Sequence, residues 1–372
     1  MFLKLLKILF VFFVFICLYG CAANITPINQ PSVKHIKQPN QFRYKYITQG
    51  NIPEGKLLWK FKTNGSINTS PAYHNDNVYI ISKDDYLYSI NVNNGILTWK
   101  LKLKPDISHS SPEIFGKYVC FMDEDGEFQA VDVNTGKTIF NYQVNGSINS
   151  YPEIQNQKAF FGSKDKNIYS LDILDGTVDW SFKTGGIIDS PPVILNETVY
   201  IGSYDGKLYA LNLDDGKLLW VYQTKSPVAA KPIIGNNIIY TGSIDKNFYA
   251  IDAKTGILKW KTELSGIIPG SAAFDDEKVF IGDGKGFFYA LNAANGSIIW
   301  QNKTLGAILA SPAIVNDIIY VPSGDGCLYA FNPPDGKTLW KFCTFGPIFS
   351  SPIIDKGIIF FGSEDGYIYA LR

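Results

Sequence analysis

The 372-residue chain lacks an excess of either charge: 34 Lys and Arg stand against 34 Asp and Glu. Without bulk basicity, nothing in it argues for nucleic acid as a partner. Histidines number three and cysteines five, and no Cys-x-x-Cys pair or Cys/His spacing of a zinc or haem site occurs. No segment carries a helical period. The N-terminal apolar run, Ile8–Tyr19, has twelve residues, too few for a spanning helix, which needs about 20. What is abundant is apolar: 46% hydrophobic residues and 15% aromatics, enough for a large core. Length alone allows two or three domains or one large all-β domain.

A repeat decides for one. A glycine with an aromatic four residues on occurs at Gly55/Trp59, Gly95/Trp99, Gly136/Phe140, Gly176/Trp180, Gly216/Trp220, Gly256/Trp260, Gly296/Trp300 and Gly336/Trp340. The step is 40 residues, once 41, and all seven tryptophans of the chain occupy this position. Such self-similarity is the signature of a repeat architecture. Each repeat reads as four strands. The first surrounds a Ser-Pro-like pair, as at Ser70-Pro71, Tyr151-Pro152, Lys231-Pro232 and Ser351-Pro352. A short β-rich run follows, then a turn of the Gly-Ser-x-Asp-Gly kind, as at Gly202–Gly206. A Leu-Tyr-Ala-Leu strand and the tryptophan strand complete the unit. Short strands with turn signals at regular spacing predict antiparallel meanders.

Four strands per 40 residues, repeated, predict an all-β fold, a β-propeller. Eight third strands, around Tyr88, Phe128, Tyr169, Tyr209, Tyr249, Tyr289, Tyr329 and Tyr369, give eight blades. The sequence stops at Arg372, straight after the third strand of the eighth repeat, and the missing fourth strand, 56–62 with Trp59, stands at the beginning. The N-terminal strand is therefore expected to complete the last blade and close the ring. Closure removes the edges that would template aggregation.

Ahead of the ring, Lys4 and Lys7 precede the apolar run, which ends in Gly20 and Cys21. Positive start, short apolar stretch and small residue before the cut describe a secretory signal peptide over 1–20. Leu18-Tyr19-Gly20-Cys21 resembles a bacterial lipobox, with Tyr19 as a departure; the resemblance implies a lipid on Cys21 and export. Removal of 1–20 leaves a net charge of about −2. Residues 21–50 carry Pro27, Pro31, Pro39 and the basic Lys34, Lys37, Arg43 and Lys45, with no acidic residue. They read as a flexible basic tether, and 51–372 as the propeller, monomeric as a ring.

The pattern Gly-(Ser)-x-Asp-Gly-x-Leu-Tyr-Ala-Leu-(Asp/Asn)-x-x-x-Gly-x-x-x-Trp resembles the pyrroloquinoline-quinone-type propeller repeat, in eight copies over 55–372. A WD40 ring is the nearest rival, but its Trp-Asp and Gly-His pairs are absent. The resemblance implies that Trp59, Trp99, Phe140, Trp180, Trp220, Trp260, Trp300 and Trp340 pack between neighbouring blades. Quinoprotein dehydrogenases of this fold use two adjacent cysteines and calcium ligands on long insertions. Here no cysteines are adjacent and every repeat is near 40 residues. No cofactor and no enzyme activity are expected. A lipid-anchored eight-bladed ring without insertions looks like the propeller lipoproteins of the outer-membrane β-barrel assembly machinery, which bind the barrel-forming core subunit and help hand over nascent barrel proteins. That implies a non-catalytic scaffold on the periplasmic face of the outer membrane. The alternative is a cell-surface propeller on the outer face of the cytoplasmic membrane, binding a polymer or protein.

Other constellations point to no chemistry. His74 falls in a predicted turn between first and second strands, and His35 has no partner in view. Asp123-Glu124-Asp125 with Glu127 lacks the alternating pattern of a calcium loop, so no metal is expected. The repeated turn aspartates read as a turn requirement. Cys327 and Cys343 flank one hairpin; two thiols are preferred to a bond, because disulfide geometry is demanding. One ring of positions does vary. The residue three before each proline position runs Asn68, His109, Asn149, Asp189, Ala229, Pro269, Leu309 and Phe349, four polar and then four apolar. The expectation is an asymmetric mouth, polar at Asn68, His109, Asn149 and Asp189, whose apolar side, Leu309 and Phe349, docks a protein segment.

Overall fold

Two-residue turns with both residues at positive φ set the hairpin rhythm of the chain: Asn156-Gln157, Asn236-Asn237 and Asn316-Asp317. Their twist matches that of the strands they join, which is why Asn and Asp stand there. In the computed structural model, residues 53–104, 110–144, 146–148, 150–275 and 277–372 are described, together with the backbone of 45–46. They form eight sheets, each with four antiparallel strands, and no helix. Blade 4 is representative: Val193–Leu195, Thr198–Gly202, Lys207–Asn212 and Leu218–Gln223 pair in chain order.

The first strands of blades 4 to 8 contact one another in turn, that of blade 8, Ile353–Asp355, meets that of blade 1, Ala72–His74, and the latter meets that of blade 2. They therefore line the central channel. The fourth strands are outermost, with alternate residues exposed. Second and third strands are buried on both faces and supply the core: Val199, Tyr200, Leu208 and Ala210 in blade 4, and their equivalents around the ring. Their near-continuous apolar runs follow from that double burial.

Leu57–Lys62 pairs antiparallel with Tyr367–Leu371, Trp59 opposite Ala370, so the N-terminal strand completes blade 8. Lys56 and Arg372 exchange both backbone hydrogen bonds, at 2.7 and 2.8 Å, and extend that ladder by one pair. The ring is closed as the repeat count implies.

Each indole lies on the next blade. The Trp220 Nε1–H donates to the Ala253 carbonyl at 3.0 Å, and the ring rests on Gly256. The same bond joins Trp59 to Val92, Trp99 to Val133, Trp180 to Leu213, Trp260 to Ala293 and Trp300 to Pro333. Trp340 donates to Pro53 and rests on Gly55, so the closure is clasped from both sides. These glycines need their identity twice over. Gly216 has φ +67°, and a Cβ there would lie 2.5 Å from the Trp180 ring.

Two sequence readings need correction. Cys327 and Cys343 are bonded, with 4.0 Å between Cα atoms. The two residues stand directly opposite each other in the third and fourth strands of blade 7, a register that spacing alone leaves open by one residue. His74 ends the first strand of blade 1 and does not stand in the turn. Of the tether read over 21–50, Lys45–Tyr46 is a strand, paired parallel with the first strand of blade 7; the remainder, like Cys21 and the signal stretch, lies outside the described residues.

Candidate functional site

The connection from the fourth strand of one blade to the first of the next lies on the same face as the second-to-third-strand turn. Backbone bonds tie the two, as from Ile244 N–H to the Pro227 carbonyl and from Gly324 N–H to the Ala307 carbonyl. This link-and-turn face is built on a latch. In blade 4 the Asp205 Oδ1 accepts the Lys207 N–H, while Oδ2 accepts the Gly185 N–H of the link and the Tyr209 hydroxyl at 2.5 Å. Asp84, Asp165, Asp245, Asp325 and Asp365 take their tyrosine hydroxyls in the same way. The carboxylate neutralises turn and link donors that would otherwise be lost under the face. Burial first, and then the aspartate, raise these phenols above their ordinary value, Tyr169 to about 12.

Two blades depart from the latch. In blade 6 the aspartate has moved two residues earlier, to Asp283 in the serine position, and Lys285 holds the usual place. From there Asp283, wholly buried, still accepts the Lys285 and Phe287 N–H groups on Oδ1, and the Gly266 N–H and Tyr289 hydroxyl on Oδ2. In blade 2 Gln129 replaces the tyrosine. Asp123 is buried there with Oδ1 on the Glu127 N–H and Oδ2 without a hydrogen-bond partner, and burial raises its carboxyl above the usual range. Glu127 is held by Lys104 and Asn141. Among the described residues no group of three or more His, Cys, Asp or Glu is arranged to hold a metal ion.

On this frame the varying positions fall as follows. Asn68 is half-buried, its Nδ2 donating to Glu364 Oε1 at 3.0 Å while Oδ1 has no partner. Asp189 is half-buried beside Tyr204, whose phenol is raised by burial and by Asp189. His109 and Asn149 lie outside the described residues. Leu309 is 38% exposed, and Phe349 packs beside Gly324. Leu309 and Phe349 thus stand on the links entering blades 7 and 8, which are neighbours.

The structure adds residues that the spacing argument missed. Leu305 and Phe345, four residues before Leu309 and Phe349, are each 94% exposed at the tips of the same two links. Their backbone N–H groups are fixed on Asp325 and Asp365 by the latch, so the side chains are aimed outwards from rigid loops. Ile267 continues the apolar arc into the link of blade 6. The variable turn residue divides the ring at nearly the same place: Lys83, Glu124, Lys164 and Glu364 are charged, whereas Tyr204, Ile244, Gly284 and Gly324 are not. A readable signal was present. The equivalents of Leu305 and Phe345 are Asn64, Pro105, Asn145, Gly185, Lys225 and Ser265, none of them a large apolar residue.

Within the channel, Lys231 and Glu153, both largely buried, pair at 2.7 Å, and the ammonium lies over the Tyr151 ring. The pair joins the first strands of blades 3 and 5 past Pro191 of blade 4. Lys231, Tyr151 and Pro191 are the substitutions for serine in the Ser-Pro element. Elsewhere the serines bond strand to strand, Ser311 N–H to Ser351 Oγ, Ser351 N–H to Ser70 Oγ, and Ser70 N–H to Ser111 Oγ.

Architecture and repeat define a class: the chain is an eight-bladed propeller of PQQ-like repeats. In architecture it is of the BamB type. Residues 43–126 and 98–187 match the family model described as outer membrane protein assembly factor BamB, and residues 188–372 match the one described as beta-alanine-activating enzyme, beta-propeller. BamB from Moraxella catarrhalis is similar at 20% identity and TM-score 0.73, over 85% of this chain and 97% of that one. The computationally designed Ika8 protein is similar at 17% identity and TM-score 0.76, over 87% and 100%. The quinohemoprotein alcohol dehydrogenase of Comamonas testosteroni is similar at 13% identity and TM-score 0.75, over 88% and 78%. No curated protein matches the sequence. At these identities the structural likenesses are likenesses of fold.

Proposed function

We propose that the protein is a non-catalytic, lipid-anchored scaffold that docks a protein partner on its link-and-turn face, as an accessory of outer-membrane β-barrel assembly. The observation that carries the docking is the apolar arc on the links entering blades 6 to 8. Two neighbouring links there present Leu305 and Phe345 almost fully to solvent from latched loops. Exposed apolar groups on a rigid frame, bordered by the charged turns of blades 8, 1, 2 and 3, are the arrangement of an interaction patch. The match of 43–187 to the BamB family model supports the assembly context. The lipobox-like Leu18-Tyr19-Gly20-Cys21 supports the anchor at Cys21 and a place on the periplasmic face of the outer membrane.

Against a quinone enzyme stand the cysteines and the tryptophans. Cys327 and Cys343 are sixteen residues apart and Cys120 is buried, its thiol raised by burial. All seven indoles are committed to the neighbouring blade through their N–H groups. In-membrane crosslinking of the unaltered lipoprotein, followed by identification of what it captures, tests the function. Capture of the barrel-forming core subunit, lost when Leu305→Asp and Phe345→Asp are combined, is expected. Capture of that subunit undiminished by the double substitution removes the docking face. Capture instead of a polysaccharide or a solute-uptake protein overturns the assembly role.

A further inference from the structure

The backbone of Lys45–Tyr46 pairs parallel with the first strand of blade 7, Ala313–Val315, with Lys45 opposite Ile314 and Tyr46 opposite Val315. First strands line the channel, so this added strand lies inside the ring and makes blade 7 a five-stranded sheet. Among the described residues it is the one first strand so extended. An inner edge presents N–H and C=O groups that a strand can take up without any particular side chain.

The channel wall narrows where a strand can add. Its first strand is Ala313-Ile314-Val315, uncharged and buried. At the position of Ala313, blades 2 and 3 carry Glu113 and Glu153, and blade 8 ends its first strand in Asp355. The wall of blades 3 to 5 is already bridged by Glu153 and Lys231. An incoming backbone meets an apolar edge on blade 7, whereas the first strands of blades 2, 3 and 8 carry carboxylates and the Glu153–Lys231 bridge crosses blades 3 to 5. The first strands of blades 1 and 6 carry no carboxylate either.

We propose that the inner edge of blade 7 is an acceptor site for an extended peptide strand, occupied in cis by Lys45–Tyr46 and opened to a partner's extended segment when these residues are displaced. The ligand is recognised through its main chain, in the manner of strand addition. Covalent linkage to the ring strand beginning at Leu57 places the resident strand at an effective concentration on the order of mM, so it masks the site against weaker strands. The acceptor edge is distinct from the Leu305 and Phe345 arc and does not depend on which partner that arc docks.

Two measurements on the full chain test it. Tyr46→Cys combined with Val315→Cys is expected to form an intramolecular disulfide on mild oxidation, mapped by mass spectrometry. Tyr46→Cys with Asp355→Cys, the equivalent place in blade 8, is expected to form little. Equal bonding to both, or bonding to neither, overturns the placement. Tyr46→Pro places a residue disfavoured within a strand in the two-residue ladder while leaving the closing strand 57–62 untouched. A fluorescent synthetic peptide of residues 40–50 is expected to bind that variant at least about tenfold more tightly than the unaltered chain. Equal affinities, or no binding to either, overturn the acceptor site.

Discussion

Phe140 shows how a repeat tolerates a lost side chain. Elsewhere an indole covers the next glycine and donates to a carbonyl beside it. Here Tyr142, two residues on, lies against Gly176, and its hydroxyl donates to the Leu174 carbonyl at 3.0 Å. The spacing of the tryptophans was legible in the sequence, but the bond each makes was not, because its acceptor sits 33 residues on in another blade. Trp220→Phe has no such neighbour to stand in: the equivalent of Tyr142 is Tyr222, which instead packs against Tyr249. The Ala253 carbonyl then loses one partner, and the variant is expected to be less stable by about 1–3 kcal/mol in denaturant unfolding. The aspartates tell a similar story. As a turn requirement they were readable; their grip on the link and the tyrosine was not. Tyr169, raised by burial and by Asp165 from an ordinary value near 10 to about 12, binds its proton more tightly folded than unfolded. Its contribution to stability is complete below pH 10 and is lost as the pH rises from there through 12. Phenolate absorbance and circular dichroism followed together across that range are expected to change in step. Asp165→Asn should bring the Tyr169 ionisation to lower pH, while burial keeps it above the ordinary value.

At the scale of the element, the hairpin of blade 7 stands apart. Its Cys327–Cys343 bond ties the start of the third strand to the end of the fourth, two residues before Phe345. The bond therefore pins the strand end from which the link carrying an exposed aromatic departs. Two apolar strands flanking a turn were legible, but register decides whether two cysteines face each other, and the spacing argument was uncertain by one residue. With the cysteines sixteen residues apart, the chain-entropy treatment puts the stabilisation at about 3 kcal/mol. Reductant is expected to lower the denaturant midpoint accordingly. A chain carrying Cys327→Ala and Cys343→Ala should start from the lower midpoint and show no further response. An unchanged midpoint in reductant would mean that the hairpin is held by its ladder alone.

For the whole ring, periodicity made visible what repeats: blade count, strand order and the closing strand follow from a 40-residue step and from where the tryptophans stand. It hid what does not repeat. The Lys231–Glu153 pair joins residues 78 apart across a channel, and Lys45–Tyr46 pairs with a strand in the seventh blade. Neither belongs to the periodic unit, so no comparison of repeats could find it. Closure itself has a testable energetic meaning. The third strand of blade 8, Tyr367–Leu371, is covered on one side by Ile358–Gly362 and on the other by Leu57–Lys62. Without residues 1–64 it becomes an edge strand of sequence Tyr-Ile-Tyr-Ala-Leu, apolar and free of charge, with unpaired backbone groups along its length. Trp59 would also leave the Val92 carbonyl of blade 1, opening the seam between the last blade and the first. A chain beginning at Gly65 is therefore expected to self-associate, and light scattering after size-exclusion chromatography should show dimers or larger species where the full ring is expected to run as a monomer. Adding the peptide of residues 53–64 in trans should restore the monomer, because it supplies the missing strand in its own register. A monomeric Gly65 chain with unaltered thermal stability would show that the ring does not depend on its N-terminal strand for closure.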